Sequence, residues 1–146
     1  MLNRNNEQTK IMIFGTFDGL HEGHLNFFKQ AKKLHQNSFL IVSIARDKNV
    51  KRIKGVKPFL NEKKRTNLVK KSKLVDKVVL GSLKNYFFHI KKEKPNIIAL
   101  GYDQKAYVKE LRKDLKNNNF LIKIKRLKPY KQNIYKSHLL NKKRHI

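Results

Sequence analysis

Near its start the chain reads Ile11-Met12-Ile13-Phe14-Gly15-Thr16-Phe17-Asp18-Gly19-Leu20-His21-Glu22-Gly23-His24. The first four residues are apolar, and such a run with β-branched members predicts a strand covered on both faces of a sheet. After a short polar loop, an amphipathic stretch that begins at Leu25 predicts a helix. The loop therefore lies where a parallel strand leads into a helix N-terminus, which is a place that binds phosphate.

Four residues of this loop have physical uses. We expect Gly15 to let the backbone turn sharply after the strand, and Gly23 to let a ligand approach the main chain. His21 and His24 are three positions apart, so on a first helical turn they share one face. Their ring N–H groups would then lie beside the unpaired backbone N–H groups of the helix. Such a cluster suits a polyphosphate in which negative charge builds up during reaction.

Two other interpretations of the loop compete with this one. In the first, the loop only caps the helix and its histidines are solvated. A zinc site is the second rival, but zinc-protease histidines need a spacing of four, and the chain has no cysteine to help.

The same loop resembles the HxGH motif of the nucleotidylyltransferase superfamily. Its fuller form is similar to the cytidylyltransferase-like branch, and it is carried by Gly15, Thr16, Phe17, Asp18, His21, Gly23 and His24.

Composition limits the class of protein. A length of 146 residues suits one domain with one core. Without cysteine, disulfides and thiolate catalysis are excluded. No window is apolar for the length of a membrane span, and the polar segment Met1–Lys10 has no signal-peptide core. A cytoplasmic enzyme without a membrane partner is the simplest interpretation.

The formal net charge is +26. It suggests anionic partners, namely nucleotides, phosphorylated substrates or nucleic acid. Because the lysines do not form one block, a genomic bias in composition accounts for most of the excess. Nonspecific, salt-sensitive binding to RNA or DNA is still expected in vitro.

Apolar runs alternate with amphipathic stretches along the rest of the chain. The predicted strands are Lys10–Phe14, Phe39–Ala45, one within Leu74–Gly81, Asn96–Gly101 and, at an edge, Phe120–Ile124. The predicted helices are Glu22–His35, one capped by Asn61, 83–93, 105–116 and 137–145, and Lys51–Pro58 is predicted to be a basic loop. Residues 1–9 are expected to be a disordered lead-in. The pattern predicts an α/β fold over residues 10–146, a single Rossmann-like doubly wound domain with a five-stranded parallel sheet.

Ligands of such sheets bind beyond the carboxyl ends of the strands. Four polar segments are predicted to meet there: Gly15–His24, Arg46-Asp47, Gly101–Gln104 and Lys128–Ser137.

Beyond the first motif, the chain resembles the archaeal-type FAD synthase family. The resemblance is carried by Ala45-Arg46-Asp47, Gly55, Pro58, Glu62, Arg65, Val75-Asp76, Val79-Leu80-Gly81-Ser82 and Leu100-Gly101-Tyr102-Asp103-Gln104. It implies an enzyme that transfers AMP from ATP to FMN and releases pyrophosphate. The alternative is a glycerol-3-phosphate cytidylyltransferase or another cytidylyltransferase acting on a small phosphate. A nucleic-acid-binding protein on the same fold is a distant alternative.

The resemblance also implies roles for individual residues. Catalysis would fall to His21, His24 and Lys54, with Lys51 or Arg52 as substitutes for the lysine. The nucleotide would be bound by Gly15, Thr16, Phe17, His21, His24, Arg65, Gly101, Asp103 and Ser137. Asp18 would help to hold Mg²⁺ or orient His21. Family members are often homodimers, so a homodimer is expected.

The C-terminal segment departs from the family pattern. Relatives carry an arginine followed by a Ser/Thr-rich turn that opens the last helix. Here only Ser137 keeps a hydroxyl at a matching place, and the arginine is absent. Lys128, Lys131 or Lys136 would have to supply the positive charge, as a point charge rather than a bidentate fork.

Overall fold

The structure is a computed structural model, and it describes residues 7–82, 86–104 and 108–129. The strands of this part are β1 (Thr9–Gly15), β2 (Ser38–Ile44), β3 (Lys77–Leu80), β4 (Ile97–Leu100) and β5 (Lys123–Arg126). The helices are α1 (Glu22–Lys32), α2 (Asp47–Lys54), α3 (Glu62–Lys71), α4 (Tyr86–Glu93) and α5 (Val108–Asn117).

All five strands are parallel and form one sheet in the order β3-β2-β1-β4-β5. Alternate residues of β1 face opposite sides: Ile11 and Ile13 join one buried cluster, and Met12 and Phe14 join the other. The four side chains are 0–7% exposed, which explains why the strand is an unbroken apolar run. Burial on both faces fixes the register, because a slip by one residue would exchange the two faces.

Helices cover both faces of the sheet. Phe28 and Ala31 of α1 lie in the same cluster as Val69 of α3. Ile90 of α4 and Leu111 of α5 lie in the cluster on the opposite face. The predicted α/β fold, with a parallel sheet wound on both sides, is thereby confirmed.

The strand order reverses between β1 and β4, which is where ligands bind in open α/β sheets. These two strands pair only through Ile11–Ile97 and Met12–Ile98. In contrast, β1 pairs with β2 along its whole length, from Thr9–Ser38 to Gly15–Ile44. The carboxyl ends of β1 and β4 are therefore not joined by the strand ladder.

One predicted loop is in fact mostly a helix. The prediction of a basic loop over Lys51–Pro58 is wrong for its first half, because α2 spans Asp47–Lys54. Asp47 in the first turn and cations in the last turn complement the helix dipole. Gly55 ends the helix with φ 83°, a left-handed conformation that suits glycine.

Other boundaries differ by a few residues. The edge strand β5 begins at Lys123 rather than Phe120, because the Phe120 N–H still donates to Leu115 O at the end of α5. Helix α1 ends at Lys32, before the predicted His35, and β1 begins at Thr9, within the predicted lead-in. The predicted final helix, 137–145, lies outside the described residues, as do 83–85 and 105–107.

No helix in the described ranges has both the length and the apolar character needed to cross a membrane.

Candidate active site

His21 and His24 together cap the N-terminus of α1. His21 is the N-cap residue, and its Nδ1 accepts from the Gly23 N–H at 3.0 Å. The His24 Nδ1 in turn accepts from the His21 N–H at 3.3 Å, which completes a capping box. The two rings stack with their centroids 3.7 Å apart. The spacing of three residues therefore brings both imidazoles to one helix end, as the sequence predicted.

Burial keeps both histidines neutral near pH 7. It lowers the pKa of His21, and it lowers the pKa of His24 to about 3, with a further contribution from the neighbouring His21. Because each Nδ1 accepts a backbone hydrogen bond, the hydrogen of each neutral ring lies on Nε2. The pair can thus offer two ring N–H donors at a helix end that already carries partial positive charge.

Phe17 and Gly19, rather than Gly15, have positive φ angles in the loop. Phe17 has φ 52°, whereas Gly15 is not among the residues with positive φ. A Cβ on Gly15 would lie 2.6 Å from the Phe17 ring, so glycine is required for space and not for a turn. The Phe17 ring is 5% exposed and makes edge contacts with His24 and Phe28. It therefore supports the His24 ring from within the core.

Asp18 ties the loop to the segment between α2 and α3. Its two carboxylate oxygens accept from the N–H groups of Phe59 and Leu60 at 2.7 and 2.8 Å. Across the described ranges, no group of three or more His, Asp or Glu side chains could hold a metal ion. Both carboxylate oxygens of Asp18 are engaged by backbone N–H groups, which is a positioning contact, and its expected role toward Mg²⁺ or His21 stays a prediction.

Arg65 lies beneath the same loop. Its side chain is fully buried, and it donates to Thr16 O at 2.8 Å, Leu60 O at 3.0 Å and Asp47 Oδ1 at 2.6 Å. These bonds use three of its five N–H donors, and the nucleotide contact expected from the resemblance stays a prediction. The structure gives Arg65 the task of holding the Thr16 carbonyl and the start of α3 together.

The N-termini of α2 and α3 cap each other. The Asp47 N–H donates to Glu62 Oε1 at 3.0 Å, and the Glu62 N–H donates to Asp47 Oδ2 at 3.2 Å. Arg46 lies 3.7 Å from the Glu62 carboxylate and donates to Gly81 O at 2.6 Å. The starts of α2 and α3 are consequently held together, and residues 48–61 connect them.

Gln104 joins the end of β1 to the turn that follows β4. Its Nε2 donates to Phe14 O at 2.8 Å, and its Oε1 accepts from the Gly101 N–H at 2.8 Å. Arg126, at the end of β5, donates to Gly101 O at 2.9 Å and to Gln104 O at 2.8 Å. The turn 101–104 is thus fixed from both neighbouring strands, while the Asp103 side chain is exposed.

The chain beyond β5 returns to α1. Gln30 donates to Lys128 O at 2.9 Å and accepts from the Lys128 N–H at 3.0 Å. Gln30 also donates to Asn26, one turn closer to the histidines. The described chain therefore ends alongside the helix that carries the HxGH motif.

The structure brings together most of the predicted site. Gly15, Thr16, Phe17, Asp18, His21 and His24 form one loop, and Gln104 links the turn at Gly101 and Asp103 to the end of β1. Lys54 lies on the exposed last turn of α2, and no contact places it beside the histidines. Ser137 lies outside the described residues.

Two positioning residues, Arg126 and Gln30, were not predicted from the sequence. Arg126 ends a basic edge strand, so it looked like one more cation in a lysine-rich chain. Gln30 lies on an ordinary polar helix face. Both act through bonds to residues 22–98 positions away, which no local pattern reveals.

The fold and the site together define a nucleotidyltransferase. The chain belongs to the cytidylyltransferase-like family, whose model matches residues 12–142. Within this family it is similar to archaeal FAD synthases. The FAD synthase of Methanothermus fervidus is 47% identical over 122 residues, which cover 83% of each chain. That of Methanosarcina mazei is 42% identical over 119 residues, which cover 82% of this chain and 76% of the relative. The resemblance expected from the sequence is confirmed.

Solved structures share the fold. A protein from Thermoplasma volcanium, described as a lipopolysaccharide core biosynthesis protein, is 36% identical, with a TM-score of 0.76. The match covers 84% of this chain and 98% of that one. Pantoate–β-alanine ligase from Francisella tularensis shares the fold, at 18% identity and a TM-score of 0.53, with 99% of this chain and 72% of the ligase covered.

Proposed function

We propose that the protein is an FMN adenylyltransferase, which joins the AMP part of ATP to FMN and releases pyrophosphate. The observation that carries the proposal is the stacked, neutral histidine pair at the N-terminus of α1 in a chain 47% identical to an FAD synthase. Neutral imidazole N–H groups can donate hydrogen bonds to the negative charge that develops on a transferring phosphoryl group.

The reaction needs little covalent chemistry from the protein. A phosphate oxygen of FMN, largely ionised near pH 7, attacks the α-phosphorus of ATP, a new P–O bond forms, and the bond to pyrophosphate breaks. No general base is required. The protein aligns the two phosphates and stabilises the negative charge that spreads over the transferring group. In the proposal, the Nε2–H groups of His21 and His24 supply that stabilisation.

Other residues have supporting roles in the proposal. The backbone of Gly15 and Thr16 borders the nucleotide phosphates, and the turn at Gly101 and Asp103 contacts the nucleoside. Lys54 supplies positive charge from α2, and Ser137 with its neighbouring lysines binds the terminal phosphates. Since Asp18 is engaged by two backbone N–H groups, Mg²⁺ is expected to arrive with the ATP phosphates.

A product assay tests the proposal. Purified protein is incubated with Mg²⁺ and either ATP and FMN or CTP and glycerol 3-phosphate, and dinucleotide and pyrophosphate are measured by chromatography. FAD formed from ATP supports the proposal. A cytidylylated alcohol with no FAD would keep the site and overturn the substrates.

Three further properties are proposed with it. The formal charge of +26 supports nonspecific, salt-sensitive binding to nucleic acid. A homodimer and a cytoplasmic location follow from the family resemblance. Sedimentation of the pure protein at two salt concentrations, with and without RNA, measures the first two.

A further inference from the structure

Three apolar side chains are exposed close together in the sequence, between α2 and α3. Ile53, Val56 and Phe59 are 75%, 66% and 52% exposed. We call these three residues the apolar lip. Within the described ranges, only Phe88 and Leu121 are other large hydrophobic residues with comparable exposure, and they lie 33 positions apart in the sequence. Grouped apolar exposure of this kind marks a binding surface more often than scattered single residues do.

The apolar lip is attached to the HxGH loop. Asp18 accepts hydrogen bonds from the Phe59 and Leu60 N–H groups, so one carboxylate of the loop fixes the C-terminal end of the lip. The reciprocal caps between Asp47 and Glu62 pin both ends of the excursion that carries it. The lip is thus an extension of the candidate active site and not a separate surface.

The segment that carries the apolar lip is rich in cations. The cations between the two pinned ends are Lys48, Lys51, Arg52, Lys54 and Lys57, and no carboxylate lies between Asp47 and Glu62. A second copy docked here about a two-fold axis would bring the same cations together, and such like-charge contacts cost several kcal/mol. An apolar surface on a cation-rich segment instead matches a ligand that is flat and apolar at one end and anionic at the other.

We propose that the apolar lip binds the aromatic ring of the phosphorylated acceptor, with the Phe59 ring as its main contact. This inference rests on the proposed function, in which the acceptor is FMN with its tricyclic flavin ring. The cations of this segment attract the acceptor phosphate, and the bond from Asp18 to Phe59 sets the ring site at a fixed offset from the histidines. The lip thereby selects an acceptor with a large aromatic group over a small phosphorylated alcohol.

The test measures flavin binding without turnover. Phe59→Ser and the double variant Ile53→Ser/Val56→Ser leave the backbone N–H groups bonded to Asp18 intact, and Phe88→Ser is a matched control on α4. Quenching of FMN fluorescence, without ATP, gives the Kd for FMN, and calorimetry gives the Kd for ATP. We expect Phe59→Ser to raise the Kd for FMN about tenfold, as loss of one stacking partner does. The Kd for ATP should not change in the lip variants, and the Kd for FMN should not change in Phe88→Ser.

Three outcomes overturn the proposal. If the wild type makes FAD but Phe59→Ser binds FMN as the wild type does, the lip is not the acceptor site while the proposed function stands. If the lip variants change the sedimentation of the protein and leave FMN binding unchanged, the surface joins two copies. If the wild type neither makes FAD nor quenches FMN fluorescence, the proposed function fails and the lip fails with it.

Discussion

The guanidinium of Arg65 donates to the carboxylate of Asp47 across 2.6 Å, and the Arg65 side chain is fully buried. The bond joins α3 to the start of α2, and the same guanidinium reaches the Thr16 carbonyl in the HxGH loop. Three segments that are distant in sequence therefore depend on one side chain. A buried guanidinium is tolerated only because its donors find oxygens, which makes the network sensitive to the loss of any member.

Arg65→Met should destabilise the protein by about 3 kcal/mol, which is the low end for breaking a buried ion pair, since Asp47 keeps some exposure. The loss arises because Asp47, Thr16 O and Leu60 O lose their donor. Urea unfolding followed by circular dichroism measures it. Arg52→Met removes an exposed arginine of α2 and should change the free energy of unfolding by less than about 0.5 kcal/mol. Equal effects of the two variants would contradict the network.

His24→Gln separates catalysis from capping. Glutamine at the third helical position keeps the capping box, because its side-chain oxygen can accept from the His21 N–H. Stability should therefore stay near that of the wild type, while kcat falls on the order of 100- to 1000-fold with the loss of a charge-stabilising donor. Steady-state kinetics and urea unfolding measure the two effects. A variant with normal turnover would make His24 a capping residue only.

The stability of the protein should fall in acid, partly through His24. Its pKa is about 3 in the folded protein and near 6.5 when unfolded, so the unfolded state binds the extra proton between these values. The free energy of unfolding thus decreases as pH falls below 6.5, by at most about 1.4 kcal/mol per pH unit for this group. His24→Gln should lose less stability than the wild type between pH 7 and pH 5. If the free energy of unfolding decreases with falling pH at the same rate in both proteins, the burial of a neutral imidazole at His24 is contradicted.

Much of this molecule could be predicted from local patterns, and the predictions that failed did so for two different reasons. The apolar run at Ile11–Phe14 and the spacing of His21 and His24 are properties of neighbouring residues, and both predictions are confirmed. The reason given for Gly15 was wrong, because it depends on where the Phe17 ring packs. The helix at Asp47–Lys54 was missed because its lysine-rich composition resembles a loop, although Asp47 and Gly55 are proper end signals.

Residue roles were harder to predict than elements. Asp18 and Arg65 are polar residues near phosphate-binding loops, so the resemblance assigned them to ligands. In the structure both bond to backbone groups up to 49 positions away, and Arg65 also bonds to the Asp47 carboxylate; only the folded chain brings these partners within reach. A sequence shows which side chains are polar or charged, but not which of them are bonded to other groups within the folded protein.

Gln104→Ala should raise the KM for ATP more than it lowers kcat. The change leaves Phe14 O and the Gly101 N–H without their partner where β1 and β4 part, so the turn that borders the nucleoside loses its fixed position. Asn118→Ala, at the exposed end of α5, is the control. Steady-state kinetics with ATP and with CTP measure the separate changes in KM and kcat. If kcat alone falls, the turn acts on the reacting phosphates and not on the nucleoside.

Asp18→Asn distinguishes a positioning residue from a metal ligand. An amide keeps one acceptor oxygen but turns an NH₂ group toward the second backbone N–H, so one of the bonds to Phe59 and Leu60 is lost. The HxGH loop and the apolar lip then lose their fixed offset. We expect kcat/KM for FMN to fall about 10- to 100-fold, as misplacement of a reacting group does. Glu110→Gln removes an exposed carboxylate of α5 and serves as the charge-matched control.

The dependence of the rate on Mg²⁺ decides between the two roles of Asp18. A positioning residue leaves the Mg²⁺ concentration at half-maximal rate unchanged in Asp18→Asn, because the metal is held by the ATP phosphates. A metal ligand shifts that concentration upward, and excess Mg²⁺ then restores the rate. If excess Mg²⁺ restores the rate of Asp18→Asn, the positioning role is refuted, since no metal concentration can replace a hydrogen bond between Asp18 and the Leu60 N–H.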